Sequence, residues 1–151
     1  MAGSVPLAVA LPLTDAAGEV AGQVRVIAGQ FDTAQGPAQT FTPVNVWDVR
    51  VQGGRTMSLA QAEGWASMLV VLEGTVQVNG ETVLRPAQMA TLSAQGREIR
   101  IESSGDAKLL LLAGEPIDEP VVGYGPFVMN SQAEIVQAID YFNSGKFGNM
   151  P

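Results

Sequence analysis

Gly114 to Asn130, GEPIDEPVVGYGPFVMN, joins an apolar strand to the chain's one well-specified helix. Before it, Leu109 to Leu112 are four leucines without alternation, which reads as a strand buried on both faces, since a core helix needs greater length. After it, Ser131 and Glu134 form the S-x-x-E capping box, in which each side chain satisfies the other's free backbone N–H. Ile135, Ala138, Ile139 and Phe142 then fall at i, i+3, i+4 and i+7 as one apolar stripe, and Gly145 supplies a stop. The helix is therefore expected to pack on the barrel that the strands form and not to stand free. Within the quoted stretch, Pro116 and Pro120 shape an exposed connection. Gly123 and Gly125 permit a tight excursion, with Tyr124, Phe127 and Met129 as packing anchors.

Working outward, short β-type runs recur from Gln23 onward with turn signals between them, the pattern of a sandwich or barrel. The runs are Val24 to Ile27, Val44 to Val51, Leu69 to Leu72, Thr75 to Val78, Glu81 to Leu84, Gln88 to Leu92, Arg97 to Ser103 and Lys108 to Ala113. Asn79-Gly80 can adopt the positive φ angles of a type I′ turn and so predicts a hairpin. Residues 1 to 22 read as an apolar strand, Val5 to Leu13, followed by a polar turn containing Asp15, Gly18 and Glu19. Seventeen glycines and nine prolines in 151 residues suit strands and turns better than a helical bundle. One mainly β domain is expected, large enough to bury roughly two thirds of the surface its unfolded chain exposes.

Fifteen acidic residues against eight basic ones give a net charge of −7, so neither a phosphate-tracking surface nor nucleic acid as a direct partner is expected. The apolar N-terminus lacks a positive n-region and is interrupted by Pro6 and Pro12, which reads as mature chain and not as a signal peptide. No run approaches 18 apolar residues, so no membrane span is expected, and cytoplasm is the default location. With neither histidine nor cysteine, Ser-His-Asp triads, Cys-His pairs, the usual zinc sites and imidazole acid–base catalysis are excluded.

The quoted stretch and its helix, preceded by FTPVNVWDVR (Phe41 to Arg50) and VLEGTVQVNG (Val71 to Gly80), resemble the C-terminal barrel of the pirin family, two-barrel members of the cupin superfamily. The resemblance runs from about Val24 to Gly148. It implies a single cupin-type β-barrel or jelly-roll sandwich over 23–130, an N-terminal strand and turn arm over 1–22, and a C-terminal helix and tail over 131–151 packing on the barrel. The family's iron-bearing N-terminal barrel has no counterpart in these residues. Metal-dependent cupins bind through two histidines and a glutamate in one motif and a further histidine in a second. Here the matching regions are GWASMLVVLEG (Gly64 to Gly74), with Trp65, Ser67 and Met68 where histidines would lie, and SAQGREIRIESSG (Ser93 to Gly105), with Arg97 or Glu98 near the last. None replaces imidazole as a tight ligand. Alternation turns Glu98, Arg100 and Glu102 away from Ile99 and Ile101. Pirin's own C-terminal barrel is similarly metal-free, so no cofactor is implied. Full pirins are described as iron-dependent quercetin-type dioxygenases and as nuclear transcriptional cofactors, roles tied to the companion barrel.

Other constellations remain. Glu115, Asp118 and Glu119 are either an oxygen-ligand cation site or simply solvated loop acids. Gly123 to Val128, GYGPFV, begins like a dinucleotide-binding G-x-G-x-x-G but lacks the third glycine and any βαβ context. Trp47, Arg50, Trp65 and Arg97 are the candidate lumen residues. A tryptophan there either plugs the barrel or stacks on a flat ligand, while Asp48 with Arg50 is either a surface ion pair or part of an acid-binding lumen. The leading expectation is a non-catalytic, metal-free interaction or assembly module, a homodimer formed through the apolar arm unless that strand folds back onto its own barrel, with an unidentified protein partner also open. The rivals are a small-molecule-binding cupin, marked by an open lumen of several hundred Å³, and the partner of a separate iron-bearing barrel with quercetinase-type activity.

Overall fold

A computed structural model describes residues 8, 10–93, 96, 98–145 and 148. The chain forms two compact units, 1–116 and 117–151.

The first unit is an antiparallel sandwich. Its strands are β1 (Ala10–Thr14), β2 (Val20–Ala28), the two-residue pair β3 (Gln30–Phe31) and β4 (Ala34–Gln35), β5 (Val44–Val51), β6 (Arg55–Ala60), β7 (Ala66–Glu73), β8 (Val76–Val78), β9 (Thr82–Leu84), β10 (Met89–Leu92), β11 (Glu98–Ser103) and β12 (Ala107–Gly114). One sheet runs β1-β2-β5-β12-β7-β10 and the other β6-β11-β8-β9. Together they make a cupin-like sandwich, two sheets that do not join into one closed cylinder among the described residues.

Period-two alternation builds the core. Val24 and Val26 of β2, Trp47 and Val49 of β5, Leu69 and Val71 of β7, Ile101 of β11 and Leu109 and Leu111 of β12 are all buried. Each such side chain contributes roughly 1.5–3 kcal/mol relative to exposure. The four leucines of β12 are not buried on both faces, as their lack of alternation suggested. Leu109 and Leu111 enter the core while Leu110 and Leu112 lie half-buried on the outer face. An uninterrupted apolar run reports only that neither face is polar, and says nothing of what covers each.

Strand β6 has no counterpart among the expected runs. Its signal, Met57 and Leu59 alternating with exposed Thr56, Ser58 and Ala60, is only two apolar residues long. At Asn79-Gly80 the expected hairpin forms, with φ of 54° and 70°, and the Glu81 N–H donates to the Val78 carbonyl at 3.1 Å. Asn79 then pins the turn to β11, its side chain accepting from the Arg100 N–H at 2.8 Å. Gly22 is fixed by packing and not by its φ, since an added Cβ would overlap the Arg50 carbonyl of the neighbouring strand.

The apolar N-terminal strand is expected either to pair with a second copy or to fold back onto its own barrel. It does the latter, as β1 pairs with β2 at the edge of the large sheet, burying Leu13 in the sandwich core with Leu11 packed beside it. Val5, Leu7 and Val9 lie outside the described residues.

In the second unit, β13 (Val122–Tyr124) and β14 (Phe127–Met129) form a hairpin, followed by helix α1 (Gln132–Asn143). The helix packs on that hairpin, with Ile135 and Ala138 buried and Phe142 edge-on to Phe127 at 6.4 Å. The GYGPFV segment is thus a hairpin turn with Gly125 at φ 57°, and not a phosphate loop entering a helix. Tyr124, expected as an anchor, is exposed. The cap forms by half of the expected box. The Glu134 N–H donates to Ser131 Oγ at 3.2 Å, but the Glu134 carboxylate accepts from the Ser131 hydroxyl at 3.0 Å and not from its backbone N–H. Beyond the helix, Gly145 has φ 75° and its N–H donates to the Phe142 carbonyl. Among the described residues no helix is long and apolar enough to cross a membrane.

Candidate functional site

An enclosed niche lies at the end of the sandwich where β6 gives way to β7. Ala62 to Trp65 form a tight turn, closed by the Trp65 N–H donating to the Ala62 carbonyl at 3.2 Å, with Gly64 at φ 87°. That turn brings Trp65 beside Ser67 of β7, Gln61 at the end of β6, and Asn79, Glu98 and Ile99 from the other sheet. The space they enclose is about 60 Å³, enough for about two waters and far below the several hundred Å³ of a drug-sized pocket.

The niche is polar on one side. Gln61 is only 7% exposed. Its amide oxygen accepts from Asn45 Nδ2 at 3.3 Å, and Asn45 Oδ1 in turn accepts from the Gln30 N–H at 3.0 Å. Gln61 Nε2 is buried without a protein partner. A water in the niche is the simplest acceptor, because an unpaired buried donor costs about 1–3 kcal/mol.

The three candidate lumen residues that the structure describes, Trp47, Arg50 and Trp65, are not brought together. Trp47 is part of the core, 2% exposed and edge-on to Phe31 at 4.9 Å, with its Nε1 buried and unpaired. Arg50 is exposed on the opposite face of the same strand, where it lines an open cleft of about 450 Å³ with Gln23 and Lys108. Positions 47 and 50 differ by an odd number, so alternation alone forbids them a common face. Asp48 does share the outer face with Arg50, but the two form no ion pair. Trp65 is half-buried at the niche and does not plug the interior, which Trp47 and the aliphatic core fill instead. Arg97 lies outside the described residues.

The cupin metal positions do not suit a transition metal. Along β7 the inward side chains are Ser67, Leu69 and Val71, while Met68 points outward. Glu98 is exposed, as alternation predicted. Glu115, Asp118 and Glu119 are also exposed, and among the described residues no three His, Cys, Asp or Glu side chains are grouped to hold an ion. One hydroxyl, two hydrocarbon side chains and an indole offer no ligand set.

The strongest charge cluster lies elsewhere. Asp15, in the β1–β2 turn, accepts the Ala17 and Glu19 N–H groups, and Arg55 at the start of β6 donates to Asp15 at 3.0 Å and to Glu19 at 2.8 Å. The Glu19 N–H, foremost among these donors, holds the Asp15 carboxyl below the ordinary carboxylate range. The cluster ties the N-terminal hairpin to the opposite sheet. The turn was legible in the sequence, but its arginine partner lies 40 residues away and carries no local signal.

The sequence and fold of this chain match known proteins. The family described as the Pirin C-terminal cupin domain fits residues 46–148. The chain belongs to the pirin family. It is 46% identical over 127 residues to a Pseudomonas aeruginosa protein named "Putative quercetin 2,3-dioxygenase", a match covering 84% of this chain and 44% of that protein. It is 37% identical over 134 residues to Pirin-like protein 2 of Arabidopsis thaliana, covering 83% and 42%. The crystal structure of a quercetin 2,3-dioxygenase from Acinetobacter baumannii superposes with a TM-score of 0.83 at 42% identity, over 95% of this chain and 49% of that one. The chain thus spans about half the length of the pirin relatives it matches.

Proposed function

We propose that this chain is a non-catalytic, metal-free pirin-type barrel that acts by assembly with other protein. The filled interior carries this reading. A sandwich built to bind a flavonoid-sized molecule needs a lumen of several hundred Å³, whereas here the core side chains leave about 60 Å³ at one end. The donor set argues the same way, since neither imidazole nor thiolate exists anywhere in the 151 residues. The purified, untagged chain is expected to hold no stoichiometric iron, nickel, copper or zinc and to consume no oxygen with quercetin. About one equivalent of transition metal surviving gel filtration, or quercetin-dependent oxygen uptake by this chain alone, overturns the proposal.

The names of the relatives favour a second reading, in which these residues are the structural half of a quercetin 2,3-dioxygenase whose metal ligands come from outside them. Oxygen uptake then requires a histidine-bearing barrel and rises when this chain is added to it. No change in that barrel's stability or turnover on addition sinks the second reading.

A further inference from the structure

The outer face of the six-stranded sheet is apolar where a solvated face would alternate to polar. Leu110 and Leu112 of β12, Val46 of β5, Met68 and Val70 of β7 and Met89 of β10 form one block across four adjacent strands. Leu72 and Met89 at its border are 51% and 62% exposed. Solvated antiparallel sheets carry polar residues on this side, and contiguous exposed apolar patches mark contact surfaces.

We infer that this face packs against the same face of a second copy, giving a two-fold dimer of sandwiches. The inference rests on the assembly reading above and supplies its surface. Charge selects the partner. The chain carries a net −7, so two copies repel over most of their surfaces. This face, however, holds Arg25, Arg50 and Lys108 beside Asp48 and Glu73, three of the eight basic residues on a locally balanced surface. Arg25 is in register with Asp48, so both signs sit side by side, the arrangement that a self-complementary two-fold contact requires. Size agrees. Six strands about 4.8 Å apart, with eight-residue central strands rising about 3.4 Å per residue, present a face of roughly 24 by 27 Å. That is the scale of the ~800 Å² each partner buries in a stable interface. The N-terminal arm is not needed, because Leu13 is already spent in its own core.

Light scattering across a dilution series, with the full chain, tests the surface. Wild type is expected near twice 15.8 kDa at high micromolar concentration. Leu110→Glu, at the centre of the block, and Met89→Glu, at its exposed border, are expected to shift the mass to 15.8 kDa with cooperative unfolding retained. Val83→Glu, equally exposed but on the other sheet, should leave the dimer intact. Met89→Glu keeps the test valid if Leu110→Glu fails to fold, since the Met89 side chain is 62% exposed. A monomeric wild type overturns the inference, and so does a dimer that both folded variants leave unchanged. Metal content and oxygen uptake are read separately from mass, so the loss of this surface and the loss of the non-catalytic reading are distinguishable.

Discussion

Along β12 the two faces of the six-stranded sheet carry the same residue type and behave differently. On β12, Leu109 and Leu111 are fully buried, whereas Leu110 and Leu112, one position along, remain half-exposed. The inner face closes on the four-stranded sheet and leaves space for little more than water. The outer face carries an apolar block beside Arg25, Asp48, Arg50, Glu73 and Lys108 and has only partial cover. Hydrophobicity therefore measures what a surface can bury, and a second surface decides whether it does.

The largest effect expected is on that contrast itself. Leu111→Ala should cost about 2–5 kcal/mol by leaving a cavity between the sheets. Leu110→Ala, measured in dilute solution where the chain is monomeric, should cost below about 1 kcal/mol, because a half-exposed side chain leaves no cavity. Equal shifts in chemical denaturation would show that the outer face is covered within one chain.

A smaller change asks whether a local contact matters as much as a face. Ser131→Ala removes the acceptor of the Glu134 N–H and should cost about 1 kcal/mol, with an unchanged m-value. The corresponding Glu134→Ala should cost less, because the Glu134 carboxylate serves the Ser131 hydroxyl and no backbone donor. If the order reverses, the reciprocal box is formed in solution.

The smallest effect concerns the clasp between the sheets, and it depends on pH. Hydrogen bonds from the backbone lower the Asp15 pKa from its ordinary 3.8, so its contribution is full above that value and is lost as pH falls through the lower, folded one. Thermal midpoints measured down an acid series should fall more steeply for wild type than for Asp15→Ala. Parallel curves would show that the clasp adds nothing to the closure of the inner face, as exposed ion pairs often do.

Much of this was legible one residue at a time. The Asn79-Gly80 turn, the Ser131 cap, the Gly145 stop and the outward turn of Glu98 follow from local φ preference, free helix donors and period-two alternation, all of which act within a few residues. The grouping of Trp47 with Arg50 failed where that same rule was available, since the two cannot share a face. Strand β6 was missed because two apolar residues make a weak pattern until β11 pairs with it. Gln61 and Arg55 gave no signal, because their partners Asn45 and Asp15 lie 16 and 40 residues away.

By itself the sequence determined the mainly β class, the position and capping of the helix, and the absence of any imidazole or thiolate with which to hold a transition metal. These depend on residue identity and on interactions within a turn or two. Only the tertiary structure decided which leucines of β12 became core, that the N-terminal strand turned back onto its own sheet, and that the interior filled instead of opening. Those outcomes are fixed by which surfaces meet across the sandwich, and periodicity specifies only which side chains share a face, never what lies opposite.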